Sequence, residues 1–530
     1  MARRDDAAIL GTTPAGALNA AVTRRLAELD DARVPRRIWN RDPTVWKNDP
    51  GAPEIADRLG WLGVAGAMLR QADTLTAFAA EVRERCDRVV LCGMGGASLT
   101  GEALRRVPGA PHGHPSLVVL DSTDPRAVSA AAAGDLARTL FLVSSKSGTT
   151  LEADCFFRFF WERAGGRGAQ FVAITDPDTP LARLAQERGF RRAFLNPPDI
   201  GGRYSALSYF GLVPAALLGL DVARLLRRAQ RMADACGPDV PAADNPAARL
   251  GALLGAAALG GRDKLTFVLS PAISGFGLWV EQLIAESTGK EGKGILPVAD
   301  EPLAPPEAYG RDRVFVAVTL AGEEDPAVAA RLDALERAGG HPVVRLVLED
   351  PYDLGQEFFR WEFATAVAGA ILRINPFDEP DVAASRANTA AVLEGGGAPS
   401  PPAGATELRA FLARIRPPDY LALMAYLPPT ADCDRRLQAI RVRLRDRLKV
   451  ATTLGYGPRL LHSTGQLHKG GPATGHFLQI TEAAREDVAV PGKPFTFGEV
   501  EAAQAEGDFR ALRARGRPVV RIEGLGALER

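Results

Sequence analysis

The chain has 530 residues, 46% of them hydrophobic and 24% charged, so it is long enough to bury two or three separate apolar cores. Its 64 Lys and Arg residues balance its 64 Asp and Glu residues, which excludes an overall field that attracts nucleic acid or an anionic membrane. An anionic ligand must therefore be held by a local site.

Simple patterns argue against three further classes of protein. The N-terminus meets Asp5 and Asp6 before any apolar run, which does not fit a secretory signal. The longest run rich in Ala, Leu and Gly, residues 250–260, is too short to cross a bilayer. The five cysteines are scattered without a CxxC pair, which argues against a disulfide framework and a thiolate zinc site. We expect a cytoplasmic protein with no bound metal and no membrane or nucleic-acid partner.

The first half of the chain predicts a helical cap followed by a parallel sheet. Residues 1–80 are predicted to be mostly helical and to pack on the main body. From about residue 86, short apolar runs ending in Gly, Ser, Thr or Asp alternate with helical stretches. The runs are RVVLCGMGG, LVVLDSTDP, TLFLVSSKSGTT and AQFVAITDP. This pattern is typical of a parallel sheet buried on both faces, and it predicts a doubly wound α/β domain over residues 81–261.

The second half repeats the α/β pattern. The runs KLTFVLSP, VFVAVTLAG, PVVRLVLED and AGAILRINPFD predict a second α/β domain over residues 262–395. The segment GGGAPSPPAGATE, residues 395–407, has the composition of a linker. After it come the strand-like runs DYLALMAYLP, KVATTLGYG, HFLQI and PVVRIEGL, with an amphipathic helix around residues 433–448. Residues 396–530 are therefore predicted to form the linker and a C-terminal α/β segment.

One loop has the composition of an anion site. The segment SSKSGTTLE, residues 144–152, places several hydroxyls, a glycine and Lys146 between a buried strand and a helix. Backbone N–H groups, hydroxyls and the helix dipole at such a place suit a phosphate. Ordinary capping of a helix uses the same residue types, and only the density of donors favours the phosphate.

Two other loops are less specific. In CGMGGASLTGE, residues 92–102, the glycines allow a ligand to approach the backbone. Their spacing is not that of a dinucleotide fingerprint, so we expect no nicotinamide cofactor. In GGRYS, Arg203 follows two glycines and precedes an apolar helix. It is suited to stabilise a developing oxyanion, although the spacing alone fits a surface salt-bridge residue better.

The segment EQLIAESTGKEGKG, residues 281–294, predicts a helix that ends just after Glu286. By itself Glu286 has the features of an exposed acid at a helix end. His462 and His468 lie in LHSTGQLHKGGP, but their spacing does not fit one helix face and no acid flanks them as in zinc motifs. We therefore predict no metal there.

Taken together, these motifs resemble the phosphoglucose isomerase family. The resemblance runs from about Arg37 to Ile480, and its most specific stretches are SSKSGTTLE, GGRYS, EQLIAESTGKEGKG, INPFDEP and HSTGQLHKGGP. It is nearest to the isomerase half of bifunctional transaldolase/phosphoglucose isomerase proteins, although no segment suggests the transaldolase half. The resemblance implies two sugar-isomerase (SIS) domains, each a parallel sheet flanked by helices.

The family interconverts glucose 6-phosphate and fructose 6-phosphate without a cofactor. The resemblance implies that Glu286 is the base that moves a proton between carbon 2 and carbon 1, and that Arg203 stabilises the cis-enediolate. A positioned carboxylate and a facing cation are what proton abstraction beside a carbonyl needs. The resemblance implies that Ser145, Lys146, Ser147 and Thr150 hold the phosphate and that Thr149 supports the loop. We add Gly95, Gly96, Ser98 and Lys290 to the predicted substrate-binding residues.

Three departures from the family pattern affect details. Ala97 stands where the family usually has a serine, so one hydroxyl near the phosphate is missing. Arg386 stands where the family has a lysine that helps to open the sugar ring, and an arginine is a poor proton donor. The ring-opening histidine follows the Asn-x-Phe-Asp motif instead of preceding it. We assign that role to His468, with His462 as the second candidate.

Two other functions stay open at this point. A non-catalytic phosphosugar sensor could use the same phosphate loop, although Glu286 and Arg203 together favour catalysis. An isomerase that also accepts mannose 6-phosphate would need the same residues, and Thr288 is one position that could decide this. The resemblance also implies a homodimer with sites near the subunit interface.

Overall fold

The structure is a computed structural model that describes residues 17–107, 113–397 and 399–529. The predicted cap begins outside the described residues, and its described part is helical. Its helices are α1 (Ala17–Asp31), α2 (Val34–Trp39), α3 (Val64–Leu69) and α4 (Ala72–Arg85). The indole of Trp46 donates to the carbonyl of Ala366 at 2.7 Å, and buried Trp61 packs on Phe359. These aromatic contacts fix the cap against the body of the molecule.

The first sheet has five parallel strands, β1 (Arg88–Cys92), β2 (Ser116–Leu120), β3 (Thr139–Ser144), β4 (Phe171–Thr175) and β5 (Arg192–Leu195). Their order is β2-β1-β3-β4-β5. The helices of this unit are α5 (Leu99–Arg105), α6 (Pro125–Ala131), α7 (Leu151–Arg163), α8 (Pro180–Glu187), α9 (Tyr209–Leu217), α10 (Val222–Ala235) and α11 (Pro246–Leu259). The four predicted strands are confirmed, and the short β5 was not predicted.

The second sheet has the order β7-β6-β8-β9, with β6 (Lys264–Leu269), β7 (Leu296–Val298), β8 (Arg313–Leu320) and β9 (Val343–Leu348). Its helices are α12 (Phe276–Thr288), α13 (Pro326–Arg337), α14 (Leu354–Leu372) and α15 (Ala383–Leu393). The prediction that AGAILRINPFD forms a strand is wrong, because its apolar part is the last turn of α14. Nearly all of α14 is buried, and a short apolar run within a buried helix has no period that separates it from a strand.

The C-terminal segment is a complete third sheet of four parallel strands in the order β11-β10-β12-β13. The strands are β10 (Tyr420–Tyr426), β11 (Ala451–Tyr456), β12 (Gly475–Thr481) and β13 (Val519–Glu523). Its helices are α16 (Ala405–Leu412), α17 (Ala431–Leu448), α18 (Gly465–Gly470), α19 (Phe497–Ala514) and α20 (Gly526–Glu529). The predicted strands are confirmed, as is the helix, which begins at Ala431.

The three sheets share one winding pattern. In each, the chain moves from its first strand to one neighbour and then crosses to the other side of the first strand. Because all strand pairs are parallel, the point where the direction of winding changes lies between the first and third strands of each sheet. Ligands bind preferentially at the carboxyl ends of the strands at this point.

Candidate functional site

A cavity of about 430 Å³ lies at this place in the first sheet, at the carboxyl ends of β1 and β3. It is lined by segments from all three α/β units. Ten of its lining residues come from the predicted set, including the second-choice histidine: Gly95, Gly96, Ser145, Lys146, Ser147, Thr150, Arg203, Glu286, Arg386 and His462. Motifs that are far apart in sequence therefore meet in one place.

The loop between β3 and α7 forms one wall. The hydroxyls of Ser145 and Thr150 hydrogen bond to each other at 2.8 Å, and those of Ser147 and Thr149 at 2.9 Å. Thr150 caps α7 without a hydrogen bond from its side chain, so the N–H groups of the first turn face the loop. Lys146 forms an ion pair with Asp176 and donates to the carbonyl of Pro198 at 3.0 Å. Hydroxyls, amides and one ammonium group thus converge as an anion site requires.

The glycine loop after β1 allows a close approach of backbones. A Cβ atom on Gly96 would lie 1.9 Å from the carbonyl oxygen of Gly202, the residue before Arg203. Gly95 has a φ of +55°, and a side chain there would meet His462 and Gln282. These two glycines let the loop pack directly on the segments that hold the polar groups of the site.

Glu286 and Arg203 face each other across the floor of the cavity. Glu286 lies in the last turn of α12 and is 8% exposed, so it is a buried carboxyl and not an exposed helix-end acid. Its Oε1 lies 3.8 Å from Nη1 of Arg203, and its Oε2 accepts from Gln282 at 3.0 Å. Arg203 is 3% exposed and donates to Ser287 at 2.9 Å and to the carbonyl of Pro376 at 2.9 Å.

A second carboxylate shares this arginine. Glu379 accepts a hydrogen bond from Nη1 of Arg203 at 2.8 Å and also lines the cavity. Burial raises the pKa of Glu286 above its ordinary value and the charge of Glu379 adds to this, while Arg203 offsets only part of the effect. Burial acts in the same direction on Glu379, but Arg203 outweighs it and holds the pKa of that carboxyl below its ordinary value. The cavity therefore holds one ionised carboxylate and one whose proton affinity is increased.

His462 lies in the cavity and is paired with an acid. Its Nε2 is 2.9 Å from Oε1 of Glu152, which belongs to the first turn of α7. The same oxygen accepts from Gln504 at 2.6 Å. Burial acts to raise the pKa of Glu152, but the adjacent imidazole outweighs it and the pKa is lowered, so this acid is ionised. The carboxylate thus fixes the orientation of the imidazole.

Four residues of the predicted site set do not line this cavity. Ser98 is buried and its hydroxyl donates to the carbonyl of Gly95 at 3.2 Å. Lys290 lies beneath the site, where its ammonium donates to the carbonyl of Asn375 at 2.7 Å. Burial lowers the pKa of Lys290 to about 8. Thr149 lines an adjoining cavity of about 470 Å³ that shares Ser147, Thr150, Arg386 and His462 with the first.

The fourth residue is His468. It is 3% exposed and packs on Phe477, with 4.9 Å between the ring centroids. Neither ring nitrogen has a hydrogen-bond partner among the described residues. Burial holds the pKa of His468 well below its ordinary value, so the ring is neutral. The structure does not bring His468 together with the other predicted residues.

Sequence reasoning did not identify several polar residues of the site. Glu152 ends the motif SSKSGTTLE and Glu379 lies within INPFDEP, so membership of these motifs was the available signal. Arg58 and Asp176 line the cavity without any sequence pattern that marks them. Among the described residues, no cluster of three His, Cys, Asp or Glu side chains is placed to hold a metal ion. None of the described helices has the length and apolar character needed to cross a membrane.

Comparisons with known proteins find relatives named glucose-6-phosphate isomerase, although no family model matches the chain. A glucose-6-phosphate isomerase from Symbiobacterium thermophilum is 34% identical over 297 residues, which are 47% of this chain and 65% of that protein. One from Exiguobacterium sibiricum is 28% identical over 416 residues, which are 67% of this chain and 91% of that protein. The chain thus covers just under two thirds of the length of the first relative and most of the second.

Solved structures show the same fold. A hypothetical protein from Thermus thermophilus is 25% identical, with a TM-score of 0.61 over 71% of this chain and 97% of its own. A glucose-6-phosphate isomerase from Chlamydia trachomatis is 21% identical, with a TM-score of 0.55 over 72% of this chain and 81% of its own. The closer resemblance to transaldolase fusions stays a prediction. The resemblance to the family is confirmed, and the chain is a homologue of the glucose-6-phosphate isomerases.

Proposed function

We propose that the protein is a glucose-6-phosphate isomerase that interconverts glucose 6-phosphate and fructose 6-phosphate through a cis-enediolate. The observation that carries this proposal is the buried Glu286 carboxyl, 3.8 Å from the Arg203 guanidinium, in a cavity whose wall is the hydroxyl-rich loop. The names of the relatives support the same activity. No cofactor is needed, because the reaction only moves protons between positions of one sugar.

Substrate binding begins at the loop 144–152. The N-terminus of α7, the hydroxyls of Ser145, Ser147 and Thr150, and Lys146 hold the phosphate. This remote contact holds the sugar in register with the reacting groups, Glu286 and Arg203. Arg386 lies exposed on α15 at the border of the two adjoining cavities, where its charge can polarise the sugar without giving up a proton.

We assign ring opening to His462 and not to His468. The ionised Glu152 accepts the proton of Nε2–H, which leaves Nδ1 as the basic nitrogen of the ring. That nitrogen takes the proton of the anomeric hydroxyl and returns one to the ring oxygen. His468 is too deeply buried to exchange protons with a sugar in the cavity.

Proton transfer in the open sugar is assigned to Glu286. In its ionised form it removes the proton from carbon 2 of the aldose, and the electrons move to the carbonyl oxygen at carbon 1. Arg203 stabilises the charge that develops on the enediolate oxygens. The hydroxyl proton at carbon 2 passes to the oxygen at carbon 1, and Glu286 returns its proton to carbon 1, which gives the ketose with its carbonyl at carbon 2.

The activity itself is tested with purified protein and fructose 6-phosphate, with NMR to identify the products. Formation of glucose 6-phosphate is the expected result. Mannose 6-phosphate as an additional product would show dual specificity. The hydroxyl of Thr288 is occupied by the carbonyl of Ile284 at 2.8 Å and the N–H of Ile295 at 2.9 Å, so it does not contribute to the cavity wall. Binding of fructose 6-phosphate without its conversion would favour a non-catalytic phosphosugar sensor.

The assignment of the histidine predicts different effects for two substitutions. His462→Asn is expected to lower turnover of the cyclic sugar about a hundredfold, because ring opening loses its acid and base. His468→Asn should leave turnover within about twofold, since its ring has no polar contact with the site. Steady-state kinetics with both variants, each checked for folding by circular dichroism, measures this. A large loss in His468→Asn alone would reverse the assignment.

Lys146→Ala is expected to weaken substrate affinity about ten- to a hundredfold, because a charged hydrogen bond to the phosphate is lost. Turnover at saturating substrate should change much less. The matched control is Lys47→Ala, which removes a lysine that pairs with Glu291 at the surface. Unchanged affinity for fructose 6-phosphate in Lys146→Ala would show that the loop does not anchor the phosphate.

Glu379→Gln is expected to move the acid limb of the pH profile of kcat/KM. In the wild type this limb lies above the ordinary range of a glutamate, because the pKa of Glu286 is raised and activity falls when Glu286 is protonated. Removing the negative charge of Glu379 lowers the pKa of Glu286, so the limb should shift to lower pH. A limb at the same pH in both proteins would contradict the coupling of the two carboxyls.

A further inference from the structure

A second cavity lies at the equivalent place in the third sheet. The catalytic cavity proposed above opens where the winding of the first sheet changes direction, between β1 and β3. In the third sheet this change lies between β10 and β12. Tyr426 and Thr481, the last residues of these strands, are partners in the register, and both line a cavity of about 400 Å³. This volume suits a molecule of monosaccharide size.

The cavity has an excess of negative charge. Two of its charged residues are balanced, since Glu482 pairs with Arg126 at 2.8 Å and Arg521 pairs with Glu506 at 2.7 Å. The other acidic side chains that line it form no ion pair with a described residue. They are Asp487, Glu499 and Glu523, whose negative charges are unbalanced, and Glu501. A phosphorylated sugar would be repelled here, whereas a cation would be attracted.

Two deeply buried polar groups of the cavity lack partners. Tyr426 is 1% exposed and its hydroxyl has no hydrogen bond with a described residue. Glu501 is 6% exposed, and its Oε1 is likewise without a partner. A buried polar group without a partner destabilises the fold, and a ligand that supplies the missing hydrogen bond removes that cost.

We propose that this cavity binds a small organic cation that carries a primary ammonium and hydroxyl groups, an amino sugar in its chemistry. The ammonium is placed among the unbalanced carboxylates, beside Glu501. The hydroxyl of Tyr426 hydrogen bonds to a hydroxyl of the ligand. Such a site is separate from the one proposed for the hexose phosphate, and it does not depend on the isomerase activity.

Burial raises the pKa of Glu501 to about 8, with the charge of Asp124 acting in the same direction and that of Arg126 opposing it. At neutral pH the free protein therefore holds a proton on Glu501. An ammonium beside this carboxyl favours its ionised form, so ligand binding should release a proton to the buffer.

The test is titration calorimetry with glucosamine and with glucose, which is the same ring without the charge. The wild-type protein should bind glucosamine about tenfold or more tightly than glucose. The apparent enthalpy should also depend on the ionisation heat of the buffer. Tyr426→Phe and Glu501→Gln, which preserve side-chain size, should each weaken glucosamine about tenfold and leave conversion of fructose 6-phosphate unchanged.

Three results would overturn the proposal. They are no binding of glucosamine to the wild type, equal affinity for glucose, and equal affinity of the wild type and both variants for glucosamine. Because conversion of fructose 6-phosphate is measured on the same proteins, failure of this site and failure of the isomerase activity are distinguished. Thermal unfolding of each variant shows whether it is folded at the temperature of the titration.

Discussion

Replacing Glu286 by glutamine is expected to lower kcat about 10²- to 10⁴-fold while substrate affinity changes little. Glutamine has the size of glutamate and can still contact Gln282, but it cannot accept a proton from carbon 2. The hydroxyl-rich loop, residues 144–152, which also lines the cavity, is untouched by this change. Steady-state kinetics and a direct measurement of fructose 6-phosphate binding together separate the two effects.

The matched control is Glu291→Gln, which lies five positions along the same motif and carries the same chemical change. Glu291 is half exposed at the surface, where it pairs with Lys47. Its substitution should leave kcat within about twofold, as is usual for a surface charge. Near-normal turnover in Glu286→Gln would remove this residue from the role of base.

Replacing Arg203 by lysine is expected to lower kcat about 10²- to 10³-fold, the effect typical of losing one oxyanion donor. The guanidinium simultaneously contacts Ser287, Glu379 and the carbonyls of Pro376 and Asp378. One ammonium group cannot make these contacts and also face the substrate, although it keeps the charge. Turnover of Arg203→Lys should therefore fall strongly even though the variant still has a positive charge at this position.

Because Arg203 is buried, its replacement also affects stability, and thermal unfolding must be followed beside kinetics. Arg227→Lys, at an exposed position of α10, is the control for an Arg-to-Lys change as such. If Arg203→Lys is folded and turns over like the wild type, the arginine does not stabilise the enediolate.

The sequence predicts the architecture well because the strands are continuous apolar runs followed by turn residues. Residues 139–144 and 171–175 are such runs, and both are fully buried strands. The failures include an element that lacks this signal and an element that carries it within a buried helix. Strand β5 is only Arg192–Leu195 and mostly exposed, and the end of α14 has the composition of a strand. Their structure depends on the packing of neighbouring elements, which a local pattern does not contain.

For the candidate site, the sequence motifs identify most of the polar residues, but they do not show which of these side chains lie close together in the folded protein. Glu286 has the local features of an exposed acid, and only the packing of α12 against the loop with Arg203 buries it. His462 and His468 lie in one motif, yet their surroundings differ. His468 belongs to α18 and is buried in the core, whereas His462 precedes this helix and lies beside Glu152. Such choices depend on tertiary contacts more than 300 residues apart in sequence, as between Glu152 and His462.

The sequence-based expectation of a homodimer, with sites near the subunit interface, stays a prediction. In the structure, the third sheet supplies His462 to the cavity from within the same chain. The proposed phosphate site, base, oxyanion contact and ring-opening group therefore all belong to one protomer. The mechanism proposed for this chain requires no residue from a partner.

The most direct test of the account is to follow fructose 6-phosphate by NMR in deuterium oxide with the wild-type protein and with Glu286→Gln. The wild type is expected to form glucose 6-phosphate with deuterium at carbon 2, because the proton on Glu286 exchanges with solvent before it is returned. Glu286→Gln should show neither product nor label on the same timescale. Labelled product from Glu286→Gln at the wild-type rate, or no conversion by the wild type, would contradict the account.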